Sequence, residues 1–352
     1  MRHMIMLLVI IGVFAIAVFA APAPAAAALP ENAEFSSADA VNRWMANYWA
    51  RPNPSRLPAV VHALSQLGAF KEPEGAGVYV GFIAGVLGAN PAKAEEVIGK
   101  MLTGVTPVDQ WVVVRSIAYS GHPGWMRWLR KFKDQMPTRE AMIEKYLDGR
   151  LQTLDEVGLE LKEPSFWDKV RGNLVTGWVI KPAGLTLDRS PELLDTLWGY
   201  YFASHSPTPI KRVITLLPWS KERDSVDKLT MGNMAKYTLA SNAARDAELL
   251  ALLKADVKTE PERIKPVLNE VIDAAESVET TRLRKDALAS IEELKRKGPG
   301  SKRDMSTWGM IGQGALALGC IAAAAAGQIE LGIPCVIGGA ASGVALTYWN
   351  NQ

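Results

Sequence analysis

Cysteine is nearly missing from this chain, with Cys320 and Cys335 the only two in 352 residues. A disulfide framework therefore cannot hold the body together, and an apolar core must do so. Histidine is almost as scarce: there are four, and His62, His122 and His205 stand far apart in the central sequence. Metal sites need His, Cys or carboxylates at short regular spacing, and no such spacing occurs, so no metal ligand and no cofactor site is read. There is no Gly-x-Ser-x-Gly elbow, phosphate loop, dinucleotide fingerprint or His-Glu-x-x-His. Ser120-Gly121-His122 and Ser204-His205-Ser206 place hydroxyls beside imidazoles, but adjacency in sequence does not make a triad, and both read as turn and helix-cap residues. No catalytic residue is assigned, although an acid–base pair assembled from distant Asp and Glu would leave no sequence signature. Charge of one sign is lacking as well. Lys plus Arg number 39 against 37 for Asp plus Glu, a net +2, so no strong field draws nucleic acid.

What the chain does have is two apolar ends around a polar middle. Arg2 and His3 precede an uncharged run from Met4 to Ala20, followed by Ala21-Pro22-Ala23-Pro24 and the Ala25–Ala28 run. A basic head, an apolar stretch and small residues make a secretory signal over 1–28, with cleavage expected after Ala20 or Ala28. The alternative is an uncleaved anchor, for which the run is short against the roughly 20 residues that a bilayer needs. The chain is thus expected to be exported, to the periplasm or cell envelope.

The middle reads as all-α. Asn90-Pro91, Thr106-Pro107, Ser190-Pro191 and Ser206-Pro207 each pair a capping residue with Pro at the first helical position. Val60, Val61, Leu64 and Leu67 share one helical face, and Leu194, Leu197, Trp198 and Tyr201 share another. Short Pro/Gly/Asn breaks between such segments predict an α-solenoid-like array of antiparallel helix pairs. Tyr48–Leu64 also aligns without a gap on Tyr201–Leu217, with Tyr, Ala, Pro, Val and Leu identical, and Asn90 falls near the counterpart of Asn242. This predicts a duplication: helical half 1 over 36–150, a connector over 151–189 and helical half 2 over 190–297. The alternative is that any two helix hairpins look alike at this level. The charged run ending in Lys295, Arg296 and Lys297 is broken by Gly298-Pro299-Gly300, the clearest boundary in the chain.

Tyr48, Trp49, Pro52 and Pro54, followed by Gly81, Phe82, Ala84, Asn90 and Pro91, form an aromatic-x-Pro-x-Pro turn and a Gly-Phe-x-Ala…Asn-Pro helix. In these residues segment 36–134 resembles a group of uncharacterised exported bacterial helical proteins. The resemblance implies export and a helical fold, and no activity.

Tryptophan is abundant, and most of its positions fall on apolar helix faces expected in the core. Trp125 and Trp128, interleaved with Arg127, Arg130 and Lys131, differ in making an aromatic and basic helix suited to an anionic surface. The competing expectation is an ordinary amphipathic helix with a solvated basic face.

From Met305 to Gln352 the only charge is Glu330. Small residues recur every fourth position at Ala315, Gly319, Ala323 and Gly327, and again at Gly339 and Gly343. Such stripes let helix backbones approach closely in lipid. The segment 305–349 therefore reads as an apolar helical hairpin, with Trp308 and Trp349 at one interface and Lys295, Arg296 and Lys297 beside the headgroups. In its small-residue spacing it resembles glycine-zipper two-helix segments of bacterial envelope proteins. A Cys320–Cys335 disulfide is compatible with facing helices. Against a span, the basic cluster would lie on the exported side, and the second arm is short. A hairpin packed against the body is the alternative.

Together these features predict a non-enzymatic scaffold or adaptor, tethered at a membrane and binding a protein partner. A membrane-active protein that inserts and oligomerises through its small-residue stripe is the second expectation. An enzyme whose site is invisible in sequence is the third.

Overall fold

The computed structural model describes residues 34–157 and 191–277, with the isolated positions 289 and 293. The signal segment 1–28, most of the connector, the cluster Lys295, Arg296 and Lys297, and the whole 305–349 hairpin lie outside the described residues. With the hairpin go Trp308, Ala315, Gly319, Ala323, Gly327, Gly339, Gly343, Trp349, Cys320 and Cys335.

The described residues form twelve α-helices and no strand. Before the connector these are α1 (Ala38–Ala46), α2 (Leu57–Gln66), α3 (Gly77–Ala89), α4 (Pro91–Gly104), α5 (Gln110–Ala118), α6 (Trp125–Phe132) and α7 (Glu140–Leu147). After it come α8 (Pro191–Ser204), α9 (Pro207–Ile214), α10 (Val226–Ala243), α11 (Ala247–Asp256) and α12 (Lys265–Glu276). Capping starts many of them. The Ser37, Ser206, Ser225 and Asp246 side chains each accept from a backbone N–H of the first turn, satisfying donors that a helix start leaves open. The Thr106-Pro107 signal misplaces its helix. Thr106 donates its hydroxyl to Asp109 at 3.0 Å, and α5 begins only at Gln110.

The helix at the centre is α3. Its residues from Gly77 to Leu87 are all buried, because it is apolar on every side and has no polar face to turn outward. It packs most extensively on α8. A Cβ on Gly77 would come within 2.4 Å of the Glu192 carbonyl oxygen, one on Gly81 within 1.9 Å of the Thr196 oxygen, and one on Gly85 within 2.8 Å of the Tyr200 oxygen. From the other side, a Cβ on Gly199 would lie 2.0 Å from the Val78 oxygen. The two backbones thus touch directly, with carbonyls against glycine Cα–H groups, a weak but recurrent contact between close helices. Both sets of numbers rise together, so α3 and α8 run parallel. A second close approach seats Gly232 of α10 on the 3₁₀ turn Leu217–Lys221, where a Cβ would meet Ser220 N at 2.1 Å.

One contiguous core runs from Phe35 to Ala275 and so includes helices from both sides of the connector. Trp198 is fully buried within it, its indole N–H donating to Thr238 Oγ1 at 3.0 Å. Burial of this kind supplies the main favourable free energy, about 1.5–3 kcal/mol per large apolar side chain. Two arginines add ties beyond this core. Arg115 of α5 pairs across the connector with Glu192 in the first turn of α8, and Arg212 of α9 donates to the Leu154 and Val157 carbonyls at the start of the connector.

The aligned corners share burial more than helix boundaries. Tyr48 and Tyr201, Leu57 and Ile210, Val60 and Val213, Val61 and Ile214, and Leu64 and Leu217 are buried in matching pairs. However, Tyr48 follows the end of α1 whereas Tyr201 lies inside α8, and Leu64 lies in α2 whereas Leu217 opens a 3₁₀ turn. Asn90 and Asn242 each donate to the carbonyl four residues back, at 2.9 Å, but Asn90 ends α3 and Asn242 is inside α10. No helix among the described residues is long and apolar enough to cross a membrane.

Candidate functional site

The aromatic and basic helix predicted at 125–131 is α6, and only half of that description reaches the surface. Trp128 is 1% exposed, with the His122 ring stacked on it at 4.6 Å, and Trp125 packs edge-on against Tyr146. The physical reason is helical spacing: Trp128, Leu129 and Phe132 share the face that α6 buries. Trp128 is therefore not available to an anionic surface. The basic residues are outside, but acidic neighbours interleave them. Arg127 and Lys131 both reach Glu95, and Lys133 bridges Glu140 and Glu144 at 2.9 and 2.6 Å. The hydrogen bond from Lys131 leads in lowering the Glu95 carboxyl below its ordinary range. Arg130 instead lines a shallow cavity of about 430 Å³ with Lys133, Glu144, Leu147 and Asp148. The surface around α6 is thus mixed in charge.

A buried ion pair holds the start of α8. The guanidinium of Arg115 lies over the Trp111 ring, 4.9 Å from its centroid, and pairs with Glu192, while Tyr119 and Tyr146 pack edge to face nearby. Burial disfavours the charged guanidinium, but Glu192 offsets this and holds Arg115 above its ordinary value. Burial also raises Tyr119 and Tyr146, so both phenols stay protonated.

The three central histidines are engaged as caps or packing. His62 sets Nδ1 against the Gly104 carbonyl and Nε2 at 2.8 Å from the Gln66 amide. One turn along α2, Ser65 donates to Asp109 at 2.5 Å. Ser, His and Asp therefore lie close together here, but the hydroxyl donates straight to the carboxylate and no base activates it. His122 accepts from the Gly124 N–H at 3.0 Å, in the turn before α6, whose N-cap residue is Gly124 and has no side-chain cap. Among the described residues, no group of His, Cys, Asp and Glu is arranged to hold a metal ion.

His205 is set in a more particular way. It is the only non-glycine residue with positive φ among the described residues, at 49°, and it follows the last residue of α8. Its N–H donates to the Tyr201 carbonyl at 2.7 Å, which ends the helix. Its ring lies between Trp49 and Tyr201, stacked at 4.3 and 4.8 Å with interplanar angles of 11° and 18°. Nδ1 is 3.5 Å from Glu248, and the Tyr201 hydroxyl donates to Asp246 at 2.7 Å. Trp49 remains 46% exposed. The stack joins the two corners that the alignment had paired, which the sequence reading did not foresee. Burial lowers His205 below its ordinary value, while Asp246 and Glu248 act the other way. Comparison with family models, with curated proteins and with solved structures finds no match to this chain.

Proposed function

We propose that the chain is a non-enzymatic, exported helical adaptor, held at an envelope membrane by its C-terminal segment and presenting its body to a protein partner. The observation that carries this reading is the contrast between the two parts. The segment from Met305 to Gln352 has Glu330 as its single charge, whereas the apolar residues of the body are already gathered into its own core. The finer architecture that goes with it is a solenoid-like array of two related halves ending in an apolar hairpin, with the parallel α3–α8 pair binding the halves together. Support for a binding role rather than catalysis comes from the Arg115–Glu192 pair, which ties helices together, and from the histidines, which are engaged in turn and packing contacts.

A second reading, a membrane-active protein that self-associates through the tail, is favoured by the four-residue spacing of Ala315, Gly319, Ala323 and Gly327 and of Gly339 and Gly343. One experiment separates these readings from a packed tail. Full-length protein should stay with membranes after a carbonate wash, and a chain ending at Gly298 should be released. Equal release of both would overturn the membrane tether. Self-association that is lost on replacing Gly339 and Gly343 with Leu would favour the second reading, and N-terminal sequencing of the mature chain checks export.

A further inference from the structure

His205 is placed where adding a proton must change what it does. Its side chain is 15% exposed and its two ring faces are covered by Trp49 and Tyr201. The charged groups facing it come from the start of α11: Asp246, whose oxygens already accept from the Tyr201 hydroxyl and from the Glu248 and Leu249 N–H groups, and Glu248, whose side chain is 74% exposed. The titratable group from α8 is Tyr201, and the turn after α1 contributes the indole of Trp49. A neutral imidazole fits this slot as a flat ring between rings. An imidazolium would need hydration that the slot denies, and its one unengaged carboxylate is largely in water, where its attraction is screened.

We propose that the Trp49–His205–Tyr201 stack is a proton-operated clasp, which pins the turn after α1 to the end of α8 while the imidazole is neutral and releases it in mild acid. The left-handed backbone at His205 adds to this bistability, because a non-glycine residue holds that conformation only when its surroundings favour it. The sign follows from burial. The clasped state has the lower proton affinity, so the clasp is fully closed above the ordinary histidine value of 6.5 and loosens as pH falls through the lower value of the stacked ring. What is released is an exposed indole on a Pro-rich turn, Trp49 to Pro54, whose presentation to a partner then depends on pH.

The test is ¹⁹F NMR of the full chain labelled with 5-fluorotryptophan, in detergent micelles, between about pH 7.5 and about pH 5. The Trp49 resonance is assigned by its absence from Trp49→Phe. It is expected to move toward the position of an exposed indole, with a midpoint below 6.5. In His205→Phe, which keeps a ring in the slot but cannot titrate, it should stay fixed. In Glu248→Gln the midpoint should fall further, since a carboxylate that favours the imidazolium is gone. Should His205→Phe fail to fold, His205→Asn tolerates the left-handed backbone, and its Trp49 resonance should sit at the acid position at every pH. A Trp49 resonance that does not move in the native chain, or one that moves alike without His205, would overturn the clasp.

Discussion

Two of the places where helices from either side of the connector meet are built in opposite ways. Along α3 and α8 the contact is backbone on backbone, with Gly77, Gly81, Gly85 and Gly199 leaving no room for a side chain. At the corners the contact is side chain on side chain, with Trp49 half-exposed and His205 between two rings. A backbone contact has no rotamers to adjust, so it has one arrangement or none. A stack of rings at the rim can part and re-form without disturbing the core. The difference separates a feature that defines the fold from one that can vary while the fold persists.

Substitutions can break or sharpen that contrast. The largest effect is expected at Gly81. Leu there should abolish cooperative unfolding, and Ala should cost about 3 kcal/mol or more, the upper end of overpacking, because the obstructing atom is a backbone oxygen. Urea denaturation followed by circular dichroism measures both, and a loss under about 0.5 kcal/mol for Gly81→Ala would show that the backbones are not in contact. Next comes Arg115→Met, expected to cost about 3 kcal/mol by the same assay, since it takes from Glu192 the guanidinium that faces it in a buried site. Trp49→Ala should cost only about 1 kcal/mol, the scale of an aromatic contact at a half-exposed position; a loss as large as that at Gly81 would erase the distinction between rim and centre. Smallest is Gly99→Ala in α4, where the new Cβ meets only Phe132 at 3.7 Å. It should stabilise by about 0.7 kcal/mol, showing that glycine as such is not what the central contact needs.

Much of this was legible in the sequence. Ser206-Pro207 marked the start of α9 because capping is local, and the Ser206 hydroxyl does accept from the Thr208 N–H. The face made of Leu194, Leu197, Trp198 and Tyr201 is buried as its spacing implies. Leu67, placed on the same face as Val60 and Leu64, is exposed because α2 ends at Gln66 and the periodicity ends with it. The central contact was missed although its signal is plain in retrospect: Gly77, Gly81 and Gly85 recur every fourth residue, the spacing noted in the tail. A helix that is apolar all round shows no face to read, and its partner lies beyond the reach of local pattern. The clasp was missed for a related reason. Trp49 and His205 each belong to an aligned corner, but alignment says which segments are alike, not which ones touch.

The parallel contact also has a consequence in time. Gly77 meets Glu192 and Gly81 meets Thr196, each more than a hundred positions further along the chain. At translation rates of about 5–20 residues per second, the ribosome finishes α3 roughly 5–20 s before it has made all of α8. Helical proteins commonly fold fast because their contacts are local, and here the most intimate one is not. During that interval α4 and α5 can cover part of α3, but the face that α8 covers has no native partner. The length of chain between the two helices therefore sets how long Gly77–Ala89 waits for its parallel partner.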